Sequence, residues 1–137
     1  MNRLPDWEQR LSAYLAPLLN GVTYRYGTMD CALFSAGAVL AMTGVDLAAD
    51  FRGRYTTATG STRALKRYGA GDLRATIDTM LPERPVAYAR RGDLVMDECA
   101  VGVCIGGAAL FVGEHNGSDG IYRVDRSEWT CAWSVGA

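Results

Sequence analysis

Asp30 and Cys31 form the residue pair whose types and placement best suit chemistry. The pair follows a Gly-containing loop (Tyr24 to Met29) and precedes an apolar run of helical character that ends at Thr43-Gly44. If Asp30 caps that helix, Cys31 lies in its first turn, where unpaired N–H groups and the positive end of the helix dipole favour a thiolate. Such a cysteine has a lowered pKa and can act as a nucleophile. The alternative interpretation is that Cys31 is a small buried hydrophobe at the start of a core helix.

His115 is the only histidine in the sequence, and therefore the only imidazole that could serve Cys31 as a base. It lies in Gly113-Glu114-His115-Asn116-Gly117, a pattern typical of a hairpin tip. One interpretation lets this histidine reach Cys31, with Glu114 or Asn116 orienting it. The other is an exposed histidine that points away from the centre of the sheet, because turns favour such polar residues.

The other cysteines are Cys99, Cys104 and Cys131, and they form no C-x-x-C pair. We therefore expect no secreted disulfide scaffold and a protein made in a reducing cytoplasm. A metal or iron–sulfur site built from these three thiols is an alternative, although their spacing matches no recognised ligand pattern. The apolar alternation around Cys104 explains that residue as part of the core. We expect neither a metal nor a cofactor.

Size and composition predict one globular domain over residues 1–137. Hydrophobic residues make up 49% of the 137 residues and charged residues 21%, which suits a chain with a substantial core. A formal net charge of −1 argues against a nucleic-acid-binding surface. The first 19 residues carry Asp6, Glu8 and Arg10 within their apolar pattern, so we expect no signal peptide. No apolar run is long enough to predict a membrane span.

Two helices are predicted in the first third of the chain. Asp6 begins the first helix, which carries apolar residues at helical spacing and ends at Asn20-Gly21. The second begins at Cys31 and is rich in small residues that let neighbouring backbones approach closely, so we expect it to be central and well covered. Gly44 is a natural C-terminal stop for this helix.

Two shorter helices follow, and after them the spacing of the apolar residues changes from that of helices to that of strands. Ser61 or Thr62 is expected to cap one helix, and Asp72 the next, before Pro82 and Pro85 end the helical half. The remaining apolar runs are short and suit strands, with turn signals at Gly106-Gly107 and Asn116–Gly120. The predicted strands are Asp93–Met96, Val101–Ile105, Ala109–Val112, Ile121–Val124 and Cys131–Val135. Helices followed by a meander of strands predict an α+β domain with an antiparallel sheet packed against the Cys31 helix.

Three pieces of the chain, in this order, resemble NlpC-type cell-wall endopeptidases. They are the loop and helix start Gly27–Phe34, the Arg-Gly-Asp-Leu-Val segment Arg91–Met96, and the Val-Gly-Val-x-Ile-Gly segment Val101–Gly106. Those enzymes are compact papain-like cysteine peptidases. The resemblance therefore implies a single papain-like domain in which the Cys31 helix packs on the sheet.

A closer resemblance is to a family of small, uncharacterised phage and prophage proteins related to those peptidases. The motifs that carry it are Asp6-Trp7, Asp30-Cys31, Thr43-Gly44-Val45-Asp46, Arg52-Gly53-x-Tyr55 and Trp133-x-Val135. This resemblance implies a structural component of a phage tail tip. Its location would be the virion after synthesis in the host cytoplasm. Its expected partners are other tail-tip or tail-hub proteins, or peptidoglycan.

The resemblance also indicates where a catalytic base would lie. In the peptidases the histidine immediately precedes the Val-Gly-Ile-like strand, and this position is Ala100 here; the residue that orients the histidine matches Val112. Because a methyl group cannot accept a proton, the resemblance implies that the usual dyad is broken. The alternative is an active cysteine peptidase or amidase that cuts peptidoglycan stem peptides, with Cys31 as nucleophile and His115 as base.

Overall fold

Helices form the first half of the chain and strands the second. The computed structural model describes residues 1–98, 100–115 and 117–136, with His115 described by its backbone alone. The helices are α1 (Trp7–Leu19), α2 (Cys31–Thr43), α3 (Ala58–Tyr68) and α4 (Leu73–Asp78). The strands are β1 (Glu83–Arg84), β2 (Leu94–Met96), β3 (Val101–Cys104), β4 (Ala108–His115), β5 (Ser118–Asp125) and β6 (Cys131–Trp133). Short 3-10 turns cover Val86–Tyr88 and Arg126–Glu128.

The strands form one sheet in the order β1-β6-β2-β3-β4-β5. Every pairing is antiparallel, as in Leu94 with Val103 between β2 and β3. The predicted α+β class with an antiparallel sheet is therefore confirmed. Within the described residues, no helix is both long enough and apolar enough to cross a bilayer.

Capping residues explain where the helices begin and end. Asp30 caps α2 as expected, and Gly44 ends that helix in the left-handed conformation at φ 80°. Asp72 caps α4 by accepting a hydrogen bond from the backbone N–H of Ala75 at 2.8 Å. The predicted start of α3 was wrong, because its cap is Thr57, four to five residues before the expected caps Ser61 and Thr62.

Two strand predictions also needed correction. The turn expected over residues 116–120 is shorter, because β5 already begins at Ser118 and pairs there with His115 of β4. The strand β1 was missed. It is two residues long and lies between Pro82 and Pro85, so neither length nor alternation signals it.

The sheet separates two apolar clusters. One lies under the helices and includes Phe34, Val103 and Trp133, while the other lies on the opposite face and includes Phe111 and Trp129. Eight of the thirteen residues of α2 are buried, which confirms its central position. The Trp133 indole N–H donates a hydrogen bond of 2.8 Å to Asp78, so β6 is tied to the end of α4.

The two described cysteines of the sheet lie on opposite faces. Cys131 belongs to the cluster under the helices and Cys104 to the outer cluster. Burial raises the pKa of both thiols. Because of their opposite positions, Cys104 and Cys131 do not face one another across a shared site, while Cys99 lies outside the described residues.

Candidate functional site: a groove beside Cys31

A groove of about 610 Å³ lies beside the N-terminal end of α2. The start of α2, the loops before α2 and α3, parts of α3 and α4, and the strands β4 and β5 all contribute to it. Its lining residues are Tyr24, Tyr26, Asp30, Cys31, Ala32, Tyr55, Ser61, Leu65, Leu73, Ala100, Val112, Gly113, Glu114 and Tyr122. Its volume falls within the range of ordinary ligand pockets.

Asp30 positions Cys31 in this groove. The Asp30 carboxylate is only 3% exposed, and Oδ1 accepts a hydrogen bond from the backbone N–H of Leu33 at 2.9 Å. Oδ2 accepts hydrogen bonds from the backbone N–H of Gly27 at 3.0 Å and from the Tyr55 hydroxyl at 2.5 Å. One carboxylate therefore fixes the loop before α2, the first turn of α2 and the segment before α3. Cys31, the first residue of α2, is half-buried within that frame.

Gly27 makes the close approach of these segments possible. Its φ is +86°, in the left-handed region that favours glycine, and a Cβ there would collide with the backbone carbonyl of Tyr55. The loop thus needs glycine both for its conformation and for space. This explains why the Gly-containing loop precedes Asp30 in the sequence.

Tyrosines form much of the polar lining. The rings of Tyr24 and Tyr26 meet edge to face with centroids 5.2 Å apart, and the backbone N–H of Tyr24 donates to Asp119 of β5 at 3.1 Å. Burial raises the pKa of Tyr24 and of Tyr55, and the hydrogen bond to Asp30 raises that of Tyr55 further. These phenols therefore remain protonated at neutral pH, where they serve as hydrogen-bonding groups and not as bases.

Three motifs that carried the phage-protein resemblance are joined by side-chain hydrogen bonds. Arg52 donates a hydrogen bond from Nε to Asp46 at 2.7 Å, and the Tyr55 hydroxyl binds Asp30. The pairing with Arg52 lowers the pKa of Asp46, so the carboxylate stays charged at neutral pH. The role of Tyr55 was not predicted. The only signal in the sequence was its place in the Arg52-Gly53-x-Tyr55 motif, because 25 residues separate Tyr55 from Asp30.

Ala100 and Val112 line the same groove as Cys31. These are the positions that the resemblance to the peptidases assigns to the base and to its orienting residue. Val112 is 2% exposed and belongs to the cluster under the helices, and Ala100 is half-buried. The structure therefore brings the three positions together, with a thiol at one and apolar side chains at the other two.

His115 is the last residue of β4, and its backbone pairs with Ser118 across the hairpin. Its side chain, and all of Asn116, lie outside the described residues. The neighbouring Glu114 is exposed and lines the groove. Asp93, the first residue of a predicted strand, is fully buried away from the groove, where it binds Arg3 and Arg84.

The charges of the groove are acidic. Asp30 and Glu114 carry carboxylates, and among the described lining residues none carries a positive charge. Within the described part of the chain, no three His, Cys, Asp or Glu side chains come close enough together to hold a metal ion. The groove therefore contains a thiol at a helix N-terminus, surrounded by phenols, carboxylates and apolar surface.

These features define an α+β domain in which a cysteine-headed helix packs on an antiparallel sheet beside a tyrosine-lined groove. The chain belongs to the family described as a domain of unknown function, DUF6950, whose family model matches residues 2–135. No curated protein matches the chain.

Proposed function

We propose that this protein is a structural component of a phage tail tip, built on a papain-like, NlpC-type fold that no longer catalyses hydrolysis. The observation that carries the loss of catalysis is the apolar pair Ala100 and Val112 in the Cys31 groove. A general base must lie within hydrogen-bonding reach of the proton it removes. At the two positions where the resemblance places the base and its partner, this chain has no group that can take a proton.

The placement in a phage tail tip rests on the sequence resemblance. It is supported by what the motifs do, since Tyr55 binds Asp30 in the wall of the groove and Arg52 binds Asp46 beside the segment that leads to Tyr55. These motifs maintain the shape of the groove and supply no reactive pair. A groove kept in shape, with apolar side chains at the two positions expected for the base and its partner, suits binding, and the proposed ligands are peptidoglycan or a neighbouring tail protein.

A hydrolysis assay tests the loss of catalysis. Purified protein and the Cys31→Ala variant are incubated with peptidoglycan stem peptides, and the products are followed by mass spectrometry. We expect both proteins to give the same rate as a protein-free blank. Cleavage by the unmodified chain that Cys31→Ala abolishes would overturn the proposal.

A separate measurement tests the location. Phage particles induced from a strain that carries this gene are purified and dissociated, and their tails are analysed by mass spectrometry. We expect peptides of this chain in the tail fraction at a fixed ratio to a tail protein. Particles with complete tails that lack the chain would contradict the assignment.

The second candidate function is an active cysteine peptidase or amidase with Cys31 as nucleophile and His115 as base. The observation that favours it is Cys31 at the first turn of α2, in a groove that Glu114, the neighbour of His115, also lines. Losing a positioned general base lowers a rate by about 10²–10⁴-fold. If stem-peptide hydrolysis is detected, His115→Ala should reduce it by that factor, and an unchanged rate would eliminate His115 as the base.

A further inference from the structure

A second cavity lies deeper in the molecule, between α2 and the helices α3 and α4. Its volume is about 70 Å³, and its walls are almost entirely apolar, with Leu47, Ala48, Phe51, Ile77 and Met80 among the lining residues. A dry apolar cavity of about 150 Å³ takes up benzene, which has six carbon atoms. By that comparison this cavity has room for an aliphatic group of three or four carbons.

Ser35 is one of the residues that line this cavity. The residue is 1% exposed, and its hydroxyl is the single buried side-chain oxygen or nitrogen without a hydrogen-bond partner among the residues that the structure describes. An unsatisfied buried hydroxyl carries a desolvation penalty, so its presence calls for an explanation. A ligand atom that binds this hydroxyl would supply one.

The cavity adjoins the Cys31 groove. Ala32, Tyr55, Leu65 and Leu73 line both spaces. Cys31 and Ser35 are four residues apart on α2, which places them on one side of the helix about 6 Å apart along its axis. A chain of three or four carbons attached at the Cys31 sulfur is long enough to reach the Ser35 hydroxyl.

We propose that this cavity is a subsite for a short aliphatic group that carries one hydrogen-bonding atom. The group belongs to a ligand whose remainder lies in the Cys31 groove, and Ser35 binds its polar atom. This inference rests on the groove being a binding groove, as the proposed function has it. Its test measures reaction at Cys31 and never hydrolysis, so the two proposals can fail separately.

The test uses three methanethiosulfonates that transfer a methylthio, an n-butylthio or a 3-hydroxypropylthio group to Cys31. The Cys31 sulfur attacks the sulfenyl sulfur of the reagent, a disulfide bond forms, methanesulfinate leaves with the bonding electron pair, and the thiol proton goes to solvent. Rates are read by mass spectrometry from the peptide that contains Cys31, so the other cysteines do not contribute. Each rate is divided by the rate of the same reagent with free cysteine.

We expect the normalised rates with the n-butyl and 3-hydroxypropyl reagents to exceed the methyl rate about tenfold, because burial of each CH₂ is favourable. Ala48→Leu fills the cavity and should remove that preference. Ala16→Leu adds the same atoms on the exposed face of α1 and should preserve it. Rates equal within twofold for all three reagents, or a preference that survives Ala48→Leu, would overturn the subsite.

Ser35→Ala tests the polar part of the proposal. It should lower the 3-hydroxypropyl rate about tenfold and leave the n-butyl rate unchanged or higher, because only the hydroxyl of the reagent loses its partner. Equal effects on both reagents would overturn the role of Ser35.

A titration with n-butanol tests the cavity without any reaction at Cys31. It follows the methyl resonances of Leu65 and Ile77 by nuclear magnetic resonance, and we expect saturable shifts that Ala48→Leu abolishes. A protein that reacts with none of the reagents and shows no saturable shift refutes the proposal.

Discussion

At the scale of single residues, the groove depends on how the Asp30 carboxylate is satisfied. Two backbone N–H groups and one phenol donate to it, so a buried negative charge is held beside the first turn of α2. The backbone N–H groups at the start of α2 would favour a thiolate at Cys31, but the Asp30 carboxylate at the helix cap is an anion that competes for them. Further activation of the thiol would need a cation close to its sulfur, and in papain-like enzymes an imidazolium supplies it.

Introducing a histidine at position 100 is the most direct test of whether this position can activate the Cys31 thiol. Ala100→His places a histidine where the resemblance expects one, in the wall of the Cys31 groove. We expect the imidazolium to lower the pKa of the Cys31 thiol, so that iodoacetamide alkylates Cys31 about tenfold faster at pH 6–7. The measurement is the alkylation rate of the Cys31 peptide as a function of pH.

Ala100→Gln is the matched control, since glutamine has a polar side chain of similar length that does not titrate. Its alkylation profile should follow that of the unmodified chain. If Ala100→His reacts no faster than Ala100→Gln, position 100 does not serve Cys31, and the papain-like alignment of the groove is wrong.

The residues of this site differ in how well the sequence predicts them, for a physical reason. The Asp30 cap is a local interaction with a residue three positions away, so the pattern of a helix start reveals it. The contacts of Asp30 with Tyr55 and of Tyr24 with Asp119 join segments 25 and 95 residues apart. Only the folded chain brings these pairs together, and neither composition nor periodicity signals them.

At the scale of elements, the packing of α1 against α2 depends on one glycine. Tyr14 of α1 donates a hydrogen bond from its hydroxyl to the backbone carbonyl of Phe34 at 2.8 Å, and its ring lies over Gly37. A Cβ at Gly37 would lie 2.7 Å from Cζ of Tyr14, a distance that real Cβ contacts do not show. The small residues predicted to allow close approach along α2 therefore do so at this position.

Gly37→Ala should destabilise the protein despite the better helix propensity of alanine. Propensity favours the change by about 1 kcal/mol, but a displaced Tyr14 loses its hydrogen bond and its packing. We expect the free energy of unfolding, measured with urea, to fall by about 1–2 kcal/mol.

Tyr14→Leu gives the matched background, because it removes the ring that the new methyl group meets. There Gly37→Ala should be neutral or stabilising by up to about 1 kcal/mol. The same loss of stability in both backgrounds would show that Tyr14 does not limit the approach of the two helices.

Element boundaries were predicted well where a single residue type decides them and poorly where tertiary contacts do. Gly44 ends α2 because the left-handed conformation there favours glycine. The strand β1 exists because Glu83 and Arg84 pair with Trp133 and Ala132, and two residues show no periodicity of their own. The turn at 116–120 was drawn too long since Ser118, Asp119 and Gly120 have low strand propensity, yet the ladder with β4 keeps them in register.

At the scale of the whole molecule, one buried carboxylate joins the two ends of the chain to the sheet. Asp93 is fully buried, and it binds Arg3 at 3.0 Å and Arg84 at 3.1 Å. It also accepts hydrogen bonds from the backbone N–H groups of Arg90 and Val135. The sequence predicted Asp93 only as a residue at the start of a strand, because its partners are spread from residue 3 to residue 135.

The side chain of Arg3 is buried together with that of its partner Asp93, and few other groups can interact with it. Its guanidinium also donates to the backbone carbonyls of Arg91 and Val135 and lies 4.2 Å from the ring centroid of Trp7. Burial lowers the pKa of Arg3, and the neighbouring Asp93 opposes that shift. Removing the carboxylate would leave a buried cation whose charge nothing compensates.

Asp93→Ala should therefore lower the free energy of unfolding by about 3–5 kcal/mol, the usual cost of breaking a buried ion pair by removing one partner. Asp6→Ala is the matched control, because Asp6 pairs with Arg10 through side chains that are both about half exposed. Its loss should cost much less than the loss of Asp93, since water screens such pairs. The measurement is urea unfolding of both variants. Similar losses in the two would mean that the Asp93 cluster adds no more stability than a surface ion pair, and that apolar burial alone holds the chain ends against the sheet.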